Sequence, residues 1–220
     1  MKIQALIFDF DGTILDTETP EFQAWTEWYL EFDQTLDVQL WGKGVGTWGA
    51  FDPIANLEQL TGKVFDRSDV HARIRPRVLE LIQDSTLLPG VLETLDQAKA
   101  LGLRLGLASS SGDEWIYGWL KYFVLQDRFE VIKTKDNVKN VKPDPELFLA
   151  AANDLNLEPS VCVAIEDSPN GSLAALAAGM PVIAVPNKIT QYLEFPIGVH
   201  RVVSLQTPLT SLLETIESNR

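Results

Sequence analysis

From Pro89-Gly90 onward the sequence alternates short, continuously apolar runs with segments whose apolar residues recur at helical spacing. Val91, Leu92, Leu95, Ala98 and Leu101 predict a helix closed by Gly102. Leu103–Ala108 then reads as a strand, and Trp115, Ile116, Trp119, Leu120 and Phe123 as the apolar face of the next helix. Phe129–Ile132, Val161–Ile165 and Pro181–Val185 are further strands. Between them lie helices over Pro145–Leu155, with Asp144 as cap, and Pro169–Ala178, ended by Gly179. Near the start of the chain, Ala5-Leu6-Ile7-Phe8 has the same character as the other strands. Runs without a polar alternate fit strands buried on both faces of a parallel sheet. Strand–helix alternation implies right-handed crossovers, hence an α/β fold with a doubly wound, Rossmann-like parallel sheet. Such a sheet binds ligands beyond the carboxyl ends of its strands, where the strand order reverses.

Residues 17–88 break the alternation. Thr19 is placed to cap a helix beginning at Pro20, with Phe22, Trp25, Trp28, Tyr29 and Phe32 on its apolar face. More helical sequence follows, interrupted by Gly42-Lys43-Gly44-Val45-Gly46, and no buried strand is expected. Because this segment leaves and re-enters at the sheet's carboxyl edge, it is expected to be an inserted helical cap domain. Residues 1–16 and 89–220 would then form the Rossmann-like core.

A formal net charge of −13 over 220 residues disfavours nucleic acid and anionic membrane as partners, since both need clustered Lys and Arg. Cys162 stands alone within Val161–Ile165, so packing is its expected role and a reducing compartment is allowed. The sequence opens on a strand, with no signal-like or membrane-length apolar stretch, so a soluble cytoplasmic protein is expected.

The polar oddities fall at strand ends. Asp9 and Asp11 follow the first strand, two residues apart and pointing the same way, with Gly12-Thr13 turning the chain. Two such carboxylates are costly together unless a cation sits between them or one holds a proton. Both solutions are catalytic: a magnesium site, and a nucleophile beside a proton carrier. Ser109-Ser110-Ser111-Gly112 follows the second strand with hydroxyls and free N–H groups, suited to a phosphate or simply to capping a helix. Lys142, fixed in its loop by Pro143, can neutralise an anionic nucleophile or a phosphate. Glu166-Asp167-Ser168 ends another strand with carboxylates suited to a hard cation.

Taken in order, Asp9-Phe10-Asp11-Gly12-Thr13, Ser109, Lys142 and Glu166-Asp167 resemble the four motifs of the haloacid dehalogenase superfamily. Asp16-Thr17-Glu18-Thr19, Lys142-Pro143-Asp144-Pro145 and Glu166-Asp167-Ser168-Pro169-Asn170-Gly171 are similar to its β-phosphoglucomutase-like group, which carries a helical cap. The likeness is greatest to the predicted phosphatases of that group. The resemblance implies that Asp9 attacks phosphorus and forms an aspartyl-phosphate. Asp11 would protonate the leaving oxygen and later take a proton from water. It implies Mg2+ held by Asp9, Asp167 and the backbone carbonyl of Asp11, with Glu166 nearby. Ser109, with Ser110 beside it, and Lys142 would hold the phosphoryl group. The expected substrate is a small phosphorylated metabolite, with a sugar phosphate one candidate.

A phosphosugar mutase and a non-catalytic phospholigand-binding protein are the alternatives. The glucose-phosphate mutases carry a cap histidine, a cap arginine and a Lys-Asn pair where this chain has Glu21, Thr47 and Gly112-Asp113. Fewer cations weaken any second anion site, which favours net hydrolysis. Lys43, Arg73, Arg75 and Arg77 could add cap charge but more simply lie on the surface. Trp41 and Trp48 could line a pocket but more simply belong to the core. Substrate identity and oligomeric state stay open.

Overall fold

The computed structural model describes residues 2–47 and 49–218, and Trp48 lies outside them. Its centre is a parallel sheet of β1 (Ala5–Phe8), β2 (Arg104–Ala108), β3 (Val131–Lys133), β4 (Cys162–Glu166), β5 (Val182–Ala184) and β6 (Val199–Arg201). The spatial order is β3-β2-β1-β4-β5-β6, and Ala5 pairs with Arg104 on one side and Cys162 on the other. The order therefore reverses at β1 and β4, the position at which such sheets bind ligands.

Alternate residues of these strands feed two different cores. Leu6, Phe8, Leu105, Leu107, Val163 and Ile165 pack with α5 (Val91–Ala100), α6 (Asp113–Tyr122) and α9 (Leu209–Ser218). Ala5, Ile7, Ala108, Cys162 and Ala164 face α7 (Glu146–Asp154) and α8 (Pro169–Ala177), whose own buried residues include several alanines. Small residues on both surfaces let these helices approach closely. Gly106 is part of that fit, since a Cβ there would lie 3.3 Å from Leu155.

The expected strands and helices are present with four corrections. Leu92 and Leu101 are exposed, and Thr94 takes their expected place on the buried face of α5. The third strand starts at Val131, because Phe129 turns instead to meet Phe8 edge-on at 6.1 Å. The first helix of residues 17–88, α1, spans Glu18–Leu30 with Thr17 at its N-cap; Thr19 lies inside it and Asp16 accepts its N–H at 3.0 Å. β6 and α9 extend the core beyond the last strand that periodicity predicted.

Besides α1, residues 17–88 form α2 (Val38–Gly42), α3 (Pro53–Thr61) and α4 (Arg67–Ile82). Asp52 and Asp66 accept two backbone N–H groups each at the starts of α3 and α4. The helices share their own apolar cluster around Trp25, Trp28, Tyr29, Trp41, Leu57 and Ile74. The glycine-rich loop after α2 then touches the sheet's carboxyl edge. Asn170 donates to Lys43 O at 3.1 Å and Val45 O at 2.8 Å, and Ser110 donates to Gly46 O at 3.0 Å. Gly46 is required there: its φ is +77°, and a Cβ would come within 2.3 Å of Ser168 Oγ.

Candidate active site

Asp9 leaves β1 with its N–H bonded to Ile165 O at 2.9 Å, which carries its carboxylate into the gap between β1 and β4. Lys142 reaches the same gap from the loop before α7. It is not the surface lysine that its loop position alone would suggest, for it is wholly buried. Its Nζ donates to Asp9 Oδ1 at 2.5 Å and Glu166 Oε1 at 2.7 Å, and lies 5.0 Å from the centre of the Phe148 ring. Burial opposes the ammonium charge, but the two carboxylates outweigh it and raise its pKa, so Lys142 stays protonated.

Glu166 is equally buried and has both oxygens engaged. Oε1 takes Lys142, while Oε2 accepts Asp167 N at 3.0 Å, Ser168 N at 3.0 Å and Ser168 Oγ at 2.9 Å. Gly171 gives it room, because a Cβ there would fall 1.7 Å from Glu166 Oε1. Asp167 turns toward the first loop, accepting Asn187 Nδ2 at 2.7 Å. Gly12, with φ +77°, lets the loop pass, since a Cβ would lie 2.4 Å from Asp167 Oδ2.

These carboxylates are held at an electrostatic cost. Burial pushes the Asp9 carboxyl up to about 7, against Lys142, with Glu166 and Asp11 adding to the rise. Burial also raises Asp167, helped by the charges of Glu166, Asp9 and Glu18. Glu18, buried in the first turn of α1, is raised by burial and then by Glu21, Asp11, Asp9 and Asp16. One ammonium does not balance this much negative charge. Asp9, Glu166 and Asp167 each offer a carboxylate oxygen within 4.8 Å of the others, so the donor set and its excess charge fit a hard divalent cation.

Asp11 has a different setting. Its Oδ1 accepts Thr17 Oγ1 at 2.9 Å and Trp115 Nε1 at 2.8 Å; its Oδ2 accepts Ser111 Oγ at 2.6 Å and Ser109 Oγ at 3.4 Å. The structure thus brings Asp9, Lys142, Glu166 and Asp167 into one buried cluster, with Asp11 and Ser109 beside it. Ser110 points instead to the 43–46 loop. Asp113, at the start of α6, accepts Thr134 Oγ1 at 2.5 Å. Of the arginines of α4, Arg73 pairs with Glu31, and Arg77 with Glu27 and Glu80. Arg75 lies 5.8 Å from the centre of the Trp115 ring.

Sequence reasoning missed Asn187, Thr17, Ser111 and the Trp115 N–H. Asn187 was within reach of the strand-end rule, because it follows β5 as Asp9 follows β1. Thr17 and Ser111 sit beside motif residues. Trp115 gave no separate signal, since its helical spacing assigned the ring to the core and said nothing of its N–H.

The chain matches the model of the haloacid dehalogenase-like hydrolases over residues 6–185. It is 45% identical to the provisionally named phosphatase YhcW of Bacillus subtilis strain 168, across 98% of this chain and 99% of that protein. It is 33% identical to hexitol phosphatase B of Escherichia coli K12, across 84% of each. Among solved structures, a provisionally assigned β-phosphoglucomutase of Thermotoga maritima superposes with a TM-score of 0.74 at 27% identity, covering 96% of this chain and 99% of that one. With its reversing parallel sheet and its strand-end carboxylates, this chain belongs to the haloacid dehalogenase-like hydrolase family.

Proposed function

We propose that the protein is a Mg2+-dependent phosphatase that removes phosphate from a small phosphorylated metabolite, a sugar or sugar-alcohol phosphate, through an aspartyl-phosphate on Asp9. The observation that carries this reading is the unequal treatment of the two β1 carboxylates. Asp9 is held against Lys142, whose ammonium favours the ionised carboxylate that a nucleophile needs. Asp11 sits among hydroxyls, where a proton can be gained and lost.

Asp9, Asp167 and the Asp11 carbonyl would hold Mg2+, which when bound neutralises charge on the transferring phosphoryl group. Glu166, with both oxygens committed, would act behind them by fixing Lys142 and the 166–168 backbone. Ser109 and Lys142 would hold the phosphoryl oxygens, and Ser110 would tie this loop to the cap. Asp11 would give its proton to the leaving oxygen, then take one from the water that attacks the aspartyl-phosphate.

Residues 17–88 are read as a cap that closes over the site, supported by their own apolar cluster and by the contacts of the 43–46 loop. The substrate class rests on the relative named hexitol phosphatase B and on one named fructose-1-phosphate phosphatase, 34% identical over 84% of this chain. Hydrolysis is preferred to mutase activity because Glu21, Thr47 and Gly112-Asp113 bring no cation to a second anion site. Among the described residues no helix is long and apolar enough to cross a membrane, and the proposed location is the cytoplasm.

The test is phosphate release from a panel of sugar and alditol phosphates with and without Mg2+. Mg2+-dependent turnover is expected, with Asp9→Asn losing at least about a thousandfold. Equal turnover by Asp9→Asn, or interconversion of phosphate positions without release, overturns the reading.

A further inference from the structure

Trp115 belongs to the first turn of α6, which opens directly after Ser109-Ser110-Ser111. A helix starting at a strand's carboxyl end aims its first residues back over the site. The Trp115 ring is fixed there from two sides. Trp119, one turn on, meets it edge-on at 5.7 Å and 81°, and Arg75 of α4 lies over it. Its Nε1 is left pointing at Asp11 Oδ1, 2.8 Å away.

Asp11 is surrounded by four donors, and they are chemically unlike. Thr17, Ser109 and Ser111 contribute hydroxyls, which can donate or accept as the carboxyl gains or loses a proton. An indole N–H can only donate. The Trp115 N–H therefore pins Oδ1 as an acceptor, and the carboxyl plane is set with Oδ2 turned toward Ser111 and Ser109. Oδ2 is also the oxygen on the side of Ser109, where the phosphoryl group is read to sit.

We infer that Trp115 is a positioning residue that holds the Asp11 carboxyl with Oδ2 turned toward Ser109, the side on which the phosphoryl group is read to sit. This rests on the phosphatase reading and sharpens it. In the forward step the proton leaves Oδ2 for the ester oxygen as the P–O bond to the alcohol breaks. In the second step Oδ2 takes a proton from water as that water's oxygen attacks the phosphorus of the aspartyl-phosphate, and the P–O bond to Asp9 breaks. Arg75 ties the arrangement to the cap, for the ring that orients the acid is also the ring that a cap arginine covers.

The test uses leaving groups of different basicity. A sugar or glycerol phosphate releases a strongly basic alkoxide that needs the proton; p-nitrophenyl phosphate releases a weakly basic phenolate that needs it little. The ratio kcat/KM reports only steps up to loss of the leaving group when that loss is irreversible. Trp115→Phe keeps a ring and removes the N–H. It is expected to lower kcat/KM about 10–100-fold on the alkyl phosphate and less than about threefold on p-nitrophenyl phosphate, within the range of general acid catalysis. Asp11→Asn should show the same contrast more strongly. A second readout does not need the Trp115 variant to be active: the Trp115 indole N–H resonance of 15N-labelled wild-type protein should shift in Asp11→Ala. Equal losses on both substrates, or no loss, overturn the inference alone, as does an unmoved indole resonance. Wild-type protein that hydrolyses neither substrate overturns the phosphatase reading, and this inference with it.

Discussion

Replacing Lys142 with methionine keeps the buried stem and removes one charge from a cluster of four. Asp9 and Glu166 then lose donors at 2.5 and 2.7 Å in the buried interior, Lys142 itself being wholly buried. Breaking a buried pair from one side costs about 3–5 kcal/mol, because the remaining charge is left uncompensated. Here the cost should fall at the lower end. Glu166 keeps three donors on Oε2, so the penalty concentrates on Asp9, which is already pushed up to about 7 and can take a proton instead. A loss of about 3 kcal/mol is expected near neutral pH, or about 6–12 °C in Tm for a chain of this size. The pH dependence has a fixed sign. Without Lys142 the folded-state pKa of Asp9 rises further above its unfolded value near 4, so the folded state holds a proton that the unfolded state has lost. The destabilisation relative to wild type is therefore largest above the variant's folded pKa and fades as the pH falls below about 7, where Asp9 holds a proton in both folded proteins. Urea unfolding followed by circular dichroism, with chelator present, at about pH 8 and about pH 5 measures this directly. A second substitution, Asp9→Asn, should return more than about 1 kcal/mol at the higher pH. A loss under about 1 kcal/mol at pH 8, or one of equal size at both pH values, would refute a charged Asp9–Lys142–Glu166 cluster.

Two further outcomes follow from the geometry. Asp9 and Asp167 both have raised pKa values, so the metal-free fold should lose stability as pH rises from about 4 to about 7; Mg2+ displaces those protons and should raise Tm more at about pH 8 than at about pH 5. An equal shift at both values, or none, would contradict that. Asn170→Ala removes two hydrogen bonds to the 43–46 loop, each worth about 1 kcal/mol, and should raise KM about 5–30-fold and speed amide exchange at residues 43–46; unchanged exchange there would show that Asn170 does not hold the loop.

The sheet was legible because Ala5–Phe8, Leu105–Ala108, Cys162–Ile165 and Val182–Ala184 carry no polar side chain, and the strand-end rule singled out Asp9, Asp11, Ser109, Glu166 and Asp167, with Lys142 picked from the loop before α7. What periodicity cannot show is a contact across the fold. Lys142 and Asp9 lie 133 positions apart, and only the placement of α7 beneath β1 makes a loop lysine the most deeply buried cation in the site. Trp115 was misread for a related reason. Spacing reports which way a ring faces, while its use depends on a polar atom at the ring's edge. β6 was hidden because it is a three-residue edge strand, partly exposed, and so lacks the continuous apolar run that marks the others.

β1 is the first strand made and is not paired on both sides until β4 has been made. Its two neighbours come from residues 104–108 and 162–166, so during synthesis Ala5–Phe8 leaves the ribosome with both edges unpaired. The helices of residues 18–82 come next and share an apolar cluster drawn almost entirely from one contiguous stretch, so they can pack while the sheet still lacks its middle. The nascent chain can therefore hold packed helices over an unformed floor, and a chain stopped before β4 can have neither Glu166 nor Asp167. The same central position that lets Asp9 meet groups from the whole sequence makes the site an all-or-nothing product of translation.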